Sequence, residues 1–201
     1  MKKRLSPRTS LVIIAALFLL PLLLAWFMYS GTIEYKPSST RNFGQLVEPP
    51  VPVNWEDSVL IPGAGKPALG TVQAFSDHWV ILFAVPDPCP EACFQEISAL
   101  RQIHRASGRH QPRIRIALLM QEPSSPESVN RIHETYSKFQ LISDPSGKLE
   151  TVLEQVVQGD GGVYLIDPLG DIMMVYAAGA DPNHLKQDLK RLLTWSKLDE
   201  Q

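Results

Sequence analysis

The chain has 201 residues, 44% apolar and 20% charged, which suits one domain with a buried core plus a small appendage and excludes wholesale disorder. A net charge of −2 excludes an overall basic field for nucleic acid, and two cysteines exclude a disulfide-rich scaffold and a four-cysteine zinc site. The charge is uneven: Lys2, Lys3, Arg4 and Arg8 are four of the 19 basic residues, so the chain beyond residue 30 carries 15 basic against 21 acidic residues.

Residues 1–10 form a basic N-terminus, and residues 11–29 read as a transmembrane helix. Leu11 to Met28 is an uninterrupted apolar run without a charge. At 1.5 Å per residue it covers roughly 27 Å, close to the ~30 Å hydrocarbon core. Trp26 and Tyr29 stand where an interfacial aromatic belt belongs, and Pro21 is tolerated inside a membrane helix. A cleaved signal peptide is the competing reading, but its apolar region is shorter and ends at a small-residue site, for which Trp26–Thr32 offers no good match. The span therefore reads as an uncleaved anchor. The basic cluster keeps the N-terminus cytoplasmic, and in a bacterium the rest of the chain is periplasmic, where thiols can be oxidised.

Residues 30–77 contain six prolines (37, 49, 50, 52, 62 and 67), which argue against a long helix or a central strand. The stretch reads as an extended tether with a short edge hairpin near Gly70–Phe75. Residues 78–201 read as one α/β domain. Trp79–Val85 (WVILFAV) has the pattern of a strand buried on both faces. Ala92–Ser107 has helical spacing and ends at Gly108. A strand at Ile114–Met120, a helix at Glu127–Tyr136, a short strand at Phe139–Ile142 and a helix at Gly147–Val157 follow. Gly162–Asp167 and Asp171–Ala177 form a hairpin about Pro168-Leu169-Gly170. Asp181–Lys197 closes the chain as an amphipathic helix, with Asp181 as N-cap and Pro182 at its first position.

Cys89 follows the carboxyl end of the first long strand, and Cys93 lies in the first turns of the next helix. Unpaired N–H groups at a helix N-terminus stabilise a thiolate. A spacing of four on one helical face puts the two Cβ atoms roughly 5–6 Å apart, near enough for a disulfide or for a soft ion held between two sulfurs. A structural bridge is the plainer reading, although so short a loop restrains the unfolded chain little. Asp87 and Glu91 flank the pair, either as loop carboxylates or as groups that tune its protonation. Strand–helix–strand–helix, hairpin and final helix is the thioredoxin-like order, a central mixed sheet flanked by helices, but the alternation alone fits several α/β folds.

CPEAC after an apolar strand resembles the C-P-x-x-C motif of the Sco (SenC/PrrC) family, assembly proteins of respiratory cytochrome c oxidase. SDPSGKLETVLEQV and VYLIDPLGDIMMVY look like that family's third strand, helix and terminal hairpin, and NFGQLVEP fits its layout, over roughly residues 40–195. The resemblance implies a thioredoxin-like domain behind a membrane anchor. It implies that Cys89 and Cys93 act in copper delivery, or in thiol reduction, at the copper centre of oxidase subunit II or with another oxidase assembly factor. Cys89 is then the more exposed thiolate. The family's third copper ligand is a histidine about five residues before the tyrosine of YLIDP, where this chain has Gly159, with Asp160 beside it. The five histidines, at positions 78, 104, 110, 133 and 184, offer no obvious substitute. Two sulfurs suit Cu(I) and leave a Cu(II) set incomplete. A general thiol–disulfide oxidoreductase and a metal-free binding module of oxidase assembly are the rival readings.

Overall fold

A computed structural model describes residues 6–30, 41–62, 75–121, 125–157 and 161–196. The chain divides into two compact units, Met1–Arg41 and Asn42–Gln201. In the first, α1 (Pro7–Tyr29) begins at the N-cap Ser6, whose hydroxyl accepts from the Thr9 N–H. Its stretch Pro7–Phe27 has a mean hydropathy of 2.6 and is long and apolar enough to cross a membrane.

The second unit is built on a seven-stranded sheet with strands β1 (Gln45–Pro52), β2 (Val59–Leu60), β3 (Trp79–Val85), β4 (Ile114–Met120), β5 (Gln140–Ser143), β6 (Gly161–Ile166) and β7 (Asp171–Ala177), in the order β1-β7-β6-β3-β4-β5-β2. The strands β3, β4 and β5 are parallel, and β6, β7, β1 and β2 join antiparallel to their neighbours. The helices are α2 (Glu91–Ala106), α3 (Pro126–Thr135), α4 (Lys148–Val156) and α5 (Pro182–Trp195), with a 3₁₀ turn at Gly108–Arg113.

Alternation along β3 explains the layering, because successive side chains leave a strand on opposite faces. Trp79, Ile81, Phe83 and Val85 pack with Ile97, Leu100 and Ile103 of α2 and Leu185, Leu189 and Leu193 of α5. Val80 and Leu82 pack with Leu149, Leu153 and Val156 of α4 on the other face. Both faces are covered, which is why β3 reads as a continuous apolar run rather than as an alternation.

The stretch expected to be a tether is different. The prolines at 49, 50 and 52 lie in β1, a strand at the sheet's edge, whose outer side has no ladder bond to make. The register with β7 shifts between Leu46 and Val51, which accommodates them. The prolines are compatible with an edge strand, though not with a central one, and an edge strand is what the stretch forms. β2, also in that stretch, closes the opposite edge. The hairpin expected near Gly70–Phe75 lies outside the described residues, apart from a buried Phe75. The expected β6–β7 hairpin is present, its turn held by Asp167, whose Oδ1 accepts the N–H groups of Leu169 and Asp171. Gly170 there has φ +93, a region that favours glycine.

Candidate functional site

Parallel strands place their carboxyl ends along one edge of the sheet, and the chain leaves β3 there, at Val85, to form the loop that carries Cys89. Asp87 ties this loop to the start of α3, its Oδ2 accepting the N–H of the N-cap Ser125 at 3.0 Å. Its other oxygen, Oδ1, is buried with no hydrogen-bond partner among the described residues. Pro90 is the N-cap of α2 rather than a residue of its first turn, so Cys89 stands outside the helix and Cys93 inside it. The pair is therefore brought together by the turn into the helix, not by a shared helical face. The two Cα atoms are 5.5 Å apart and the sulfurs are joined in a disulfide. Both cysteines are buried, at 8% and 5% exposure, so Cys89 is barely the more exposed.

An open cleft of about 590 Å³ lies beside the pair, walled by Phe83, Pro86 and Pro90 on one side and by Gly162, Ala178 and Gly179 on the other. Cys93 and Glu96 line it from successive turns of α2. Glu96 is the only ionisable carboxyl among the described residues of the lining. Its Oε2 accepts the Gly179 N–H at 3.4 Å. Burial pushes its carboxyl above the usual range, and the Gly179 N–H partly opposes the shift. The sequence signal for Glu96 was its position three residues after Cys93 on one helical face; what made it stand out is the cleft, which is tertiary.

The flanking carboxylates part company. Glu91 faces solvent in an ion pair with Arg131 at 3.3 Å, and Arg131 also lies 3.7 Å above the Phe94 ring. Of the two, Asp87 is the one built into the loop that carries Cys89.

The histidines are engaged elsewhere. His78 Nδ1 bonds the Ser76 carbonyl, His110 the Arg113 guanidinium and His133 the Ile61 carbonyl, while His184 stacks on Phe43 with centroids 4.3 Å apart. His104 is near the end of α2, far along the helix from Cys93. Among the described residues no three His, Cys, Asp or Glu side chains gather as a metal site. Gly159 and Asp160, at the position of the family histidine, lie outside the described residues.

A family model for a transmembrane-like, thioredoxin-like, C-terminal domain matches residues 79–196. The chain belongs to that family. This thioredoxin-like domain is also similar to solved structures. Apo Sco1 from Thermus thermophilus is 19% identical with a TM-score of 0.54, covering 78% of this chain and 99% of that one. A DsbF homologue from Corynebacterium diphtheriae is 16% identical with a TM-score of 0.55, covering 81% and 100%. Arabidopsis thaliana ScoI with copper bound is 15% identical with a TM-score of 0.51, covering 68% and 96%. At these identities the likeness is one of fold, and it agrees with the thioredoxin-like mixed sheet flanked by helices that the element order predicts. No curated protein matches the chain.

Proposed function

We propose that this protein is a membrane-anchored, Sco-like thiol reductant whose Cys89–Cys93 pair serves the copper centre of cytochrome c oxidase subunit II from the periplasmic face of a bacterial inner membrane. The observation that carries the reading is the closed Cys89–Cys93 bridge at the mouth of α2, next to an open cleft that holds one carboxyl. The apolar span Pro7–Phe27 supports the anchor, and the basic cluster before it supports a cytoplasmic N-terminus.

In the reduced protein Cys89 attacks one sulfur of a substrate disulfide, expelling the other as a thiolate. Cys93 gives its proton to the Glu96 carboxylate and attacks the Cys89 sulfur of the mixed disulfide, which releases the second substrate thiolate. The protein ends as the disulfide and the substrate as the dithiol, a transfer of two electrons. The proton on Glu96 passes to one leaving thiolate, and the proton that Cys89 released to water on forming its thiolate is returned from water to the other. A dithiol donor resets the pair.

Copper enters as cargo of the same two sulfurs. While they are bonded to each other neither has a free thiolate, so only the dithiol form suits the metal. Two cysteines, with no third ligand gathered beside them among the described residues, suit a two-coordinate Cu(I) better than the four-donor set that Cu(II) favours. A general thiol–disulfide oxidoreductase with no copper role shares the same bridge and differs in its partner.

The test is trapping. The reduced full-length protein in detergent is mixed with an oxidised peptide bearing the subunit II copper-site cysteines. Wild-type protein should become oxidised, losing two hydrogens by mass, while Cys93→Ser accumulates a mixed disulfide and Cys89→Ser does not. Equal exchange with an unrelated disulfide peptide would transfer the reading to the general oxidoreductase, and no exchange at all would overturn it. Loss of Cu(I) binding in both serine variants, with little stable Cu(II) binding by wild type, tests the cargo role.

A further inference from the structure

Residues 101–115 hold five arginines and two histidines and no acidic residue, in a chain that is otherwise acidic beyond residue 30. They fold as the end of α2, the 3₁₀ turn Gly108–Arg113 and the first residues of β4, at the amino-terminal edge of the parallel strands. The Cys89 loop leaves β3 at the other, carboxyl-terminal edge.

Not all of this charge is available. Arg113 is consumed structurally, donating to the Leu193 and Ser196 carbonyls at the end of α5. Arg115 is different. Its Nη1 donates to the carbonyls of Pro112 and Ile114, which fixes the guanidinium without neutralising it. It lines a surface cavity of about 350 Å³ together with Lys138, His104, Gln111 and Gln140, and no acidic residue lines that cavity. Neither Arg115 nor Lys138 makes an ion pair among the described residues.

We propose that this cavity binds a phosphate-class oxyanion, gripped by the Arg115 fork and the Lys138 ammonium with the Gln111 amide beside them. A planar guanidinium held at one nitrogen still presents donors suited to two oxygens of a phosphate, and a lysine supplies the point charge. The half-buried His104 in the wall supports the reading. Its charged form is disfavoured first by burial, against two backbone hydrogen bonds that favour it, and further by the charges of Lys138 and Arg115. Two cations that both disfavour the charging of His104 are relieved by one anion between them, which also favours the imidazolium. The phosphate belongs either to an anionic lipid headgroup or to a free phosphate compound; the same chemistry holds both.

The experiment follows the His104 ring by NMR in full-length protein with ¹³C-labelled histidine, its signal assigned by comparison with His104→Gln. In phosphatidylcholine nanodiscs, inorganic phosphate at constant ionic strength should shift that signal saturably and raise its pKa. The Arg115→Gln/Lys138→Gln double variant should weaken binding by about tenfold or more, and Arg115→Lys by less, since it keeps the charge and loses the fork. Both positions reach solvent, and an unchanged redox potential of the cysteine pair confirms that the double variant is folded. The same shift in phosphatidylglycerol nanodiscs without added phosphate identifies a lipid headgroup; a shift only on adding phosphate identifies a free ligand. No saturable shift in either disc, an equal shift with chloride, or an unaltered response in the double variant overturns the proposal.

Discussion

Cys93 and Glu96 stand three residues apart on α2 and line one cleft, and the carboxyl is held above its usual pKa by burial. A disulfide and a half-buried carboxyl lining one open cleft suit proton-coupled exchange, because opening the bridge takes up two protons with two electrons.

Glu96 sets a pH dependence whose sign can be worked out. Its folded pKa lies above its unfolded value, so the folded state binds more protons between the two. Burying the ionised form therefore costs nothing below the unfolded pKa, and the cost grows as pH rises through the folded pKa. Glu96→Gln should match wild type in thermal midpoint near the acid end and exceed it near neutrality. The rate of thiol exchange in wild type should carry a limb that rises with pH through the same ionisation, and Glu96→Gln should lack it. A stopped-flow pH profile and paired melts measure both. A profile with the limb intact in Glu96→Gln removes Glu96 from the proton path.

Reduction should leave the fold standing. The Cys89–Cys93 bridge closes a loop only four residues in separation, and loop-closure entropy for so short a span is about 2 kcal/mol. Urea unfolding of the full chain in detergent, with and without reductant, should differ by no more than about that amount. A much larger loss would mean that the bridge holds the core together, and would favour a structural role over a redox one.

A second carboxylate is the main polar support of the domain. Asp188, buried on α5, accepts the N–H groups of Phe43 and Gly44 and the Tyr176 hydroxyl through Oδ2, while its Oδ1 faces the Arg191 guanidinium. The Tyr176 phenol is pushed well up, first by burial and then by the Asp188 charge. Asp188→Ala strands two buried donors and a part-buried one and should cost about 3–5 kcal/mol, whereas Tyr176→Phe should cost about 1 kcal/mol. Denaturant midpoints decide the ranking, and a reversed order would refute it.

Gly162 walls the cleft where β6 and β7 come close. A Cβ there would lie 2.8 Å from the Ala178 Cα, a backbone atom that cannot rotate aside. Gly162→Ala should destabilise by about 1–3 kcal/mol and slow thiol exchange by widening that wall. Unchanged stability would show that the strands separate freely at this point.

The sequence by itself determined the elements whose signal is local. The run WVILFAV reads as a strand because a short unbroken run of β-formers suits burial on both faces, and Asp167 to Gly170 make a turn because an aspartate and a glycine satisfy that backbone. The apolar span, the helix after Cys89 and the closeness of the two cysteines were legible for the same reason. What only the tertiary structure decided depends on partners distant in the chain. Pro49, Pro50 and Pro52 sit in a strand because β7 needs an edge partner and an edge tolerates a missing N–H. Cys89 lies outside α2 because Pro90 caps the helix, although the spacing alone allowed a shared helical face. Glu96 is an ordinary helix glutamate until Gly162, Ala178 and Gly179, brought in by the hairpin more than 60 residues later, form the other wall of its cleft and leave it half-buried. Arg115 and Lys138 are 23 residues apart in sequence and meet because β4 and β5 are parallel neighbours, so their strands begin at the same edge of the sheet.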